Sequence, residues 1–599
     1  MVDTAELDAL AYPFRVDVIH KKKKSLKASL LRGGPFVEKR IAILGGSTTN
    51  EVKDVLELFL LREGIQPTFY QSDYNRYYED VMFPNEALER FAPEIVYVHT
   101  TQANITNAPV VADSREVVAA KLGAEMARFT SLWDRIRDTY RCAIIQNNFE
   151  LPRYRVLGNL DFTAYQGAAN FTMRLNLAFA EYAQTHQDFF INDINYLSAS
   201  IGLTKWHDPT FWHAYKYAVS YDAIPLLAHN VARIVTAVCG KSKKCLVVDL
   251  DNTLWGGVIG DDGPERIKIG KETPVGEAFS AFQQYATELK RRGIALAVCS
   301  KNDPHIAAQG FAHPDSILTL QDFAAFKASW NPKHHALREI ATEMNIGLDS
   351  LVFVDDNPVE RDLIRREVPE IAVPELGSDV AAFISHIDGA GYFEPAVISA
   401  EDMERTKFYE ANALRRSLET DASDYGEFLA SLEMTAEIAP FTPKYLDRIT
   451  QLINKTNQFN LTTKRCSASE VETMSRDPRA VTLYGRLKDK FGDNGLITAI
   501  AGSVTDGTLD IDLWVMSCRV IKRDMEVAMF DELVRECNAR GVERIKGYYY
   551  PTAKNGLVAD LLPRLGFTLA GNGEKGESVW TFDVRSDHQP GTRAIKVAR

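Results

Sequence analysis

Two carboxylates two residues apart, Asp249 and Asp251, close the apolar run KCLVVDLDN at 244–252. An apolar strand that delivers paired acids at its C-terminal end places them where open α/β sheets bind ligands. Like charges brought together need a cation, and an oxygen-only donor set from Asp249 and a second pair, Asp355 and Asp356, suits Mg2+. The chemistry this allows is phosphoryl transfer: Asp249 attacks phosphorus, while Asp251 protonates the leaving group and then activates water. Helix capping is the plain alternative for a lone DxD, and three further segments weigh against it. AVCSKNDP (297–304) ends a strand in Ser300 and offers Asn302 or Asp303 as N-cap before Pro304, so a hydroxyl and a helix N-terminus face one edge, ready for an anion. SWNPKHHAL (329–337) puts Lys333 just inside a helix, where an ammonium bridges phosphate and nucleophile. LVFVDDNPVERD (351–362) returns the second carboxylate pair at another strand end.

The elements that position these residues alternate. Short apolar strands separated by helices run from RIAILGGSTT (40–49) to FFINDIN (189–195), and again from KKCLVVDLDNT (243–253) to SLVFVDDNP (350–358). Such alternation predicts two consecutive doubly wound parallel sheets. From about 433 longer strands follow one another before the helix 526–541, which predicts an α+β domain. The resulting division is a helical segment 1–36, α/β domains at 37–240 and 241–376, a helical connector 377–430 and an α+β domain 431–599, with a polar helix expected at 400–418.

Composition agrees with a multidomain globular chain: 599 residues, 45% hydrophobic, at roughly 100–200 residues per domain. A net charge of −12 disfavours a nucleic-acid binder, and no apolar run is long enough to span a membrane. Seven widely spaced cysteines and an acidic N-terminal stretch point to a reducing, cytoplasmic setting without disulfides or structural zinc. The run Lys21 to Lys24 reads as a solvated helix face.

With DLDNTLWGGVIG (249–260), CSKN (299–302), NPK (331–333) and FVDDNP (353–358), the sequence resembles the haloacid dehalogenase (HAD) superfamily and, more closely, its FkbH-like branch. The resemblance implies Asp249 as nucleophile, Asp251 as acid and base, Ser300 and Lys333 as phosphate ligands, with Asn252, Thr253, Lys301 and Asn302 lining the phosphate site. It implies Mg2+ held by Asp249, the Asp251 carbonyl and Asp355 or Asp356. It further implies a glyceryl unit taken from 1,3-bisphosphoglycerate, held as a cysteine thioester and passed to the phosphopantetheine thiol of an acyl carrier protein. Only about twenty residues separate the first motif from the next helix, so no bulky cap covers the cleft, and an open site suits a partner-borne arm. Cys299, beside Ser300, is the candidate thiol, its pKa lowered by a helix N-terminus, Lys301 and the metal. A buried strand cysteine is the alternative. Plain phosphomonoester hydrolysis on another phosphorylated metabolite or a carrier-bound substrate, and a non-catalytic docking scaffold, remain the competing functions.

The flanking domains carry fainter signals. AILGGSTTNEV (42–52) resembles the first block of SGNH hydrolases around Ser47, with Asn104 in HTTQAN and Asp208 and His213 in WHDPTFWH as the later blocks. The spacing of the last pair departs from the family, so a degenerate scaffold or docking surface is expected there rather than a working esterase. The C-terminal segments 514–533 and 548–567 resemble a GNAT acyltransferase, but 519–524 reads RVIKRD and lacks the usual glycines. Arg519, Lys522 and Arg523 are the groups expected to meet phosphates of a CoA-type ligand or a phosphopantetheine arm, with Asn457, Asn460 and Asn555 orienting it.

Overall fold

A computed structural model describes the chain apart from residues 1–3, 399–410, 413–414, 416–417, 420–423, 518–519, 553, 574–575, 586–587 and 599. Most of the helix expected at 400–418 lies outside the described residues, as does Arg519. Contacts divide the chain into two compact units, Met1–Val238 and Cys239–Arg599. Among the described residues no helix is long and apolar enough to cross a membrane.

The first unit is built on a parallel sheet of β1 (Val37–Gly45), β2 (Ile65–Gln71), β3 (Ile95–His99), β4 (Ala143–Asn147) and β5 (Phe189–Asn192), in the order β2-β1-β3-β4-β5. Helices cover both faces, so the central strands β3 and β4 are buried at every position. Phe129, Trp133, Phe149 and Phe179 meet largely edge to face and form the aromatic part of its core. Strand order reverses beside β1, which leaves the loops after β1 and β3 adjacent at the carboxyl edge.

The second unit begins with another parallel sheet: β6 (Cys245–Val248), β7 (Ala295–Ser300), β8 (Ala325–Ala328) and β9 (Leu351–Val354), in the order β8-β7-β6-β9. Alternate residues feed two cores. Leu246, Val248, Leu296, Val298, Val352 and Val354 pack on the side of Trp255 and Phe282. Cys245, Val247, Ala297, Cys299, Leu351 and Phe353 pack against Leu337 and Ile340 of the helix Lys333–Met344. Here the order reverses between β6 and β9, so the two strands that end in paired acids are neighbours. The backbone N–H of Asp249 donates to the Val354 carbonyl at 2.9 Å and ties their ends together.

The same unit continues into a mostly antiparallel sheet of β10 (Met434–Ala439), β11 (Phe459–Asn460), β12 (Ala480–Asp489), β13 (Gly492–Thr505), β14 (Thr508–Met516), β15 (Arg544–Tyr549), β16 (Thr568–Asn572), β17 (Ser578–Asp583) and β18 (Ile595–Ala598). The helix Met525–Ala539 packs its apolar face on this sheet. β14 and β15 run parallel and pair only through Thr508–Asp510, beyond which they part.

Candidate active site

Three loops at the carboxyl edge of the second sheet bring the acids together. Asp249, Asp355 and Asp356 each offer a carboxylate oxygen within 4.8 Å of the others, and Asp249 and Asp355 are buried. Lys333 lies over this cluster, its Nζ 3.0 Å from Asp249 Oδ1 and 2.6 Å from Asp355 Oδ2, and only 4% exposed. Burial works against the ammonium, but the two carboxylates more than offset it and hold the Lys333 pKa above its ordinary range. Burial, then repulsion from Asp249, raise Asp355 to about 6 despite the ammonium. The same two causes raise Asp356. One cation thus faces three clustered carboxylates. Asp249 Oδ1, though close to the ammonium, accepts no hydrogen bond. A compact, all-oxygen, partly unneutralised donor set fits a hard divalent ion such as Mg2+.

The surrounding residues fix the acids from several sides. Thr253 Oγ1 donates to Asp356 Oδ1 at 3.2 Å and accepts from the Asp356 N–H at 3.0 Å. Asp355 Oδ1 accepts from the Asn357 N–H, and Arg361 donates to the carbonyls of Asp355 and Asp356. Asp251 accepts from Trp255 Nε1 at 2.9 Å, the Ile259 N–H at 3.1 Å and Asn302 Nδ2 at 3.0 Å. Burial, aided by the charge on Asp249, raises the Asp251 carboxyl against these donors. A carboxyl held in place and inclined to keep a proton is suited to general acid work.

The remaining predicted residues divide by role. Ser300 is buried at the end of β7, and its carbonyl accepts from the Ser329 N–H at 3.1 Å, which fastens the loop before Lys333 to that strand. Asp303, not Asn302, caps the helix Pro304–Gln309. Asn302 instead orients Asp251, and Thr253 orients Asp356, so both act within the scaffold of the site. Asn252 is exposed with φ 56°, its side-chain oxygen accepting from the Gly257 N–H. Lys301 is paired with Glu360 at 2.6 Å. Trp255, Arg361 and Glu360 were not foreseen. DLDNTLW and the DNPVERD stretch contain them, but only long-range contacts reveal what they do.

Cys299 requires a correction. Its side chain lies on the sheet face that carries Asp249 and Asp355, but beneath them: it is fully buried, with Sγ 3.7 Å from the Lys333 carbonyl. Burial pushes its thiol well above the ordinary range, and the pull of Lys333 does not reverse this. The expected lowering, and with it an accessible thiolate, is absent because the helix carrying Lys333 covers the sulfur.

In the first unit Ser47 and Asn104 do come together, at the switch between β1 and β3. Asn104 Nδ2 donates to the Gly46 carbonyl at 2.9 Å, its Oδ1 accepts from the Thr101 N–H at 3.0 Å, and Ser47 Oγ is buried without a hydrogen bond. Asp208 and His213 do not complete such a set. The Asp208 carboxylate caps the helix Pro209–Tyr215 through the N–H groups of Thr210 and Phe211, and His213 is exposed on that helix. The acid and imidazole that do meet are Glu150 and His207, with Oε1 and Nε2 3.4 Å apart. Burial raises Glu150 to about 7, and burial with the nearby Arg153 lowers His207 to about 4.

Around the third sheet the described residues of the expected phosphate-binding basic loop are Lys522 and Arg523. Arg523 is buried, its Nη1 3.2 Å from Asp489, which also takes both branches of Arg415 at 2.8 and 3.0 Å. Lys522 is exposed in a left-handed conformation. Asn555 is fully buried, accepting from the Thr552 N–H and donating to the carbonyls of Asn460 and Tyr550, so it fixes a turn instead of meeting a ligand.

Residues 40–236 match the family model of the FkbH N-terminal domain. That stretch is similar to an FkbH N-terminal domain. A solved structure of the N-terminal part of a Bacteroides fragilis protein, containing a phosphatase domain complexed with Mg, is similar at 29% identity and a TM-score of 0.58, over 63% of this chain and 99% of that one. That neighbour supports a HAD-type phosphatase reading of the acid cluster. Acetyltransferase structures are similar over about a quarter of the chain. The Escherichia coli ribosomal-protein-S18-alanine N-acetyltransferase is 12% identical over 26% of this chain and 97% of that one, and the GNAT domain of S. lividans PAT 15% identical over 24% and 89%, both with a TM-score of 0.21. No curated protein sequence matches the chain.

Proposed function

We propose that the chain is a Mg2+-dependent enzyme in which Asp249 is the phosphoryl-accepting nucleophile and Asp251 the acid and base. The observation that carries this is the cluster of Asp249, Asp355 and Asp356 under Lys333, with Asp251 fixed beside it by three donors. An Asp249 oxygen bonds to phosphorus as the bond to the leaving oxygen breaks, and the Asp251 carboxyl gives that oxygen its proton. Asp251 then takes a proton from water as the water attacks the aspartyl phosphate, which restores both carboxylates and frees phosphate. Mg2+ held by Asp249, Asp355 and Asp356 supplies charge neutralisation for the phosphoryl oxygens. Lys333 positions Asp249, its Nζ standing 3.0 Å from Oδ1.

The finer assignment is to 1,3-bisphosphoglycerate: Asp249 removes the phosphate of its phosphoester, and the phosphopantetheine thiol of an acyl carrier protein attacks the acyl carbon, forming the C–S bond as the C–O bond to the acyl phosphate breaks and inorganic phosphate leaves. Its support is the motif resemblance and the short connection after the first motif, which leaves the cleft open to a partner's arm. Cys299, covered in the core, takes no part as an acyl relay. The SGNH-like and GNAT-like flanking domains act in this account as scaffold and docking surfaces, since Asp208, Arg523 and Asn555 are engaged in fold contacts. Incubation with labelled 1,3-bisphosphoglycerate, Mg2+ and a phosphopantetheinylated carrier tests the assignment. Label on the carrier, retained with Cys299→Ala, is expected. Phosphate release with an unlabelled carrier would leave a simple phosphomonoesterase.

A further inference from the structure

Each loop that builds the acid cluster carries an apolar side chain standing in solvent. Trp330, three residues before Lys333, is 75% exposed; Val359, just after the acids 355–356, is 68% exposed; Val258, on the first loop, is 39% exposed. The convergence of these loops is fixed by Lys333 Nζ on Asp249 and Asp355, and by the Ser329 N–H on the Ser300 carbonyl. Three residues span at most about 10 Å of extended chain, so the Trp330 backbone stays within reach of the cluster. Trp133, Trp206, Trp255 and Trp514 are wholly buried, which makes the exposure of Trp330 unusual within this chain. An indole left in water contributes little to the fold, whereas against a ligand it offers a large, rigid contact face.

The charged floor of the site recognises a phosphoryl group and cannot tell one organic body from another. Discrimination must come from what stands at the rim. We propose that Trp330 is a specificity-determining residue whose indole packs on the uncharged organic body of the substrate. The site then prefers phosphorylated compounds whose body extends beyond the phosphate over those, such as acetyl phosphate, that offer no such face. This rests on the phosphoryl chemistry assigned to the cluster and not on the three-carbon substrate.

Phenyl phosphate and acetyl phosphate separate the two contributions, because they share the phosphoryl group and differ in the body. With the full chain and Mg2+, Trp330→Ala should raise KM for phenyl phosphate about tenfold with kcat nearly unchanged, leave acetyl phosphate unaffected, and be largely rescued by Trp330→Phe. Equal effects on both compounds, or none on either, overturn the proposal. Tryptophan emission supplies a readout independent of turnover: saturable quenching by phenyl phosphate, weaker with acetyl phosphate and lost in Trp330→Phe, is expected. No such difference overturns the proposal even when phosphate is released. Quenching without phosphate release supports the platform and sinks the phosphoryl chemistry instead.

Discussion

Replacing Lys333 with methionine removes the ammonium between Asp249 and Asp355 while keeping the unbranched stem of the side chain. Lys333 is 4% exposed and stands 3.0 and 2.6 Å from the two carboxylates, so the variant leaves like charges facing each other out of water. Breaking a buried ion pair by removing one partner costs about 3–5 kcal/mol. At roughly 2–4 °C per kcal/mol for a domain of 150–250 residues, the corresponding transition falls by about 6–20 °C in metal-free protein. The pH dependence has a definite sign. Burial and Asp249 raise Asp355 to about 6, so the folded state holds this proton more tightly than the unfolded chain. Stability from that group is fully present below the ordinary carboxylate range and is lost as pH rises through 6. Without the ammonium the carboxyls rise further, so the deficit of Lys333→Met should be small at pH 5 and largest at pH 8, and Mg2+ should recover part of it. Thermal unfolding with chelator and with Mg2+ at the two pH values measures this. Equal stability of the two proteins at pH 8 without metal, or a larger deficit at pH 5, refutes the reasoning.

Other perturbations address the rest of the molecule. Asp489→Ala strands the buried guanidiniums of Arg415 and Arg523 and should destabilise the second unit by about 3–5 kcal/mol in denaturant unfolding. Gly46→Ala places a methyl 2.4 Å from Asn104 Nδ2 and 2.5 Å from its Cγ, so it should cost about 1–3 kcal/mol in the first unit. Glu150→Gln should change pH dependence: the wild-type carboxyl, raised from 4.5 to about 7, loses stability as pH rises through that window, and the variant should gain relative to wild type between pH 5 and 8. Unfolding midpoints at the two pH values check it, and a constant difference would argue against a buried, raised carboxyl.

The acid cluster was legible because each of its acids follows an apolar strand within one or two residues, so local pattern and chemistry coincide. Asp249, Asp355 and Asp356 converge for that reason, and Lys333 joins them from the first turn of the helix Lys333–Met344. What the sequence could not convey were roles set by distant partners. Thr253 and Asp356 bond across 103 positions, and Asn302 reaches Asp251 across 51, which turns two expected phosphate ligands into positioning groups. The chain neighbours of Cys299 suggest a lowered thiol pKa, and the Lys333 helix, which covers it, comes from elsewhere. Arg523 sits in a run, IKRD, that reads as an exposed basic loop until Asp489 draws it inward. Asp208 and His213 were paired by proximity, whereas capping claims the first, and the acid that meets an imidazole in this region lies after β4.

The central claim is tested most directly by trapping the covalent intermediate. Rapid acid quench of the full chain with 32P-labelled acetyl phosphate and Mg2+, followed by peptide mapping, should place label on Asp249, dependent on Mg2+ and absent from Asp249→Asn. Label on another residue, or phosphate release that persists undiminished in Asp249→Asn, would contradict the account.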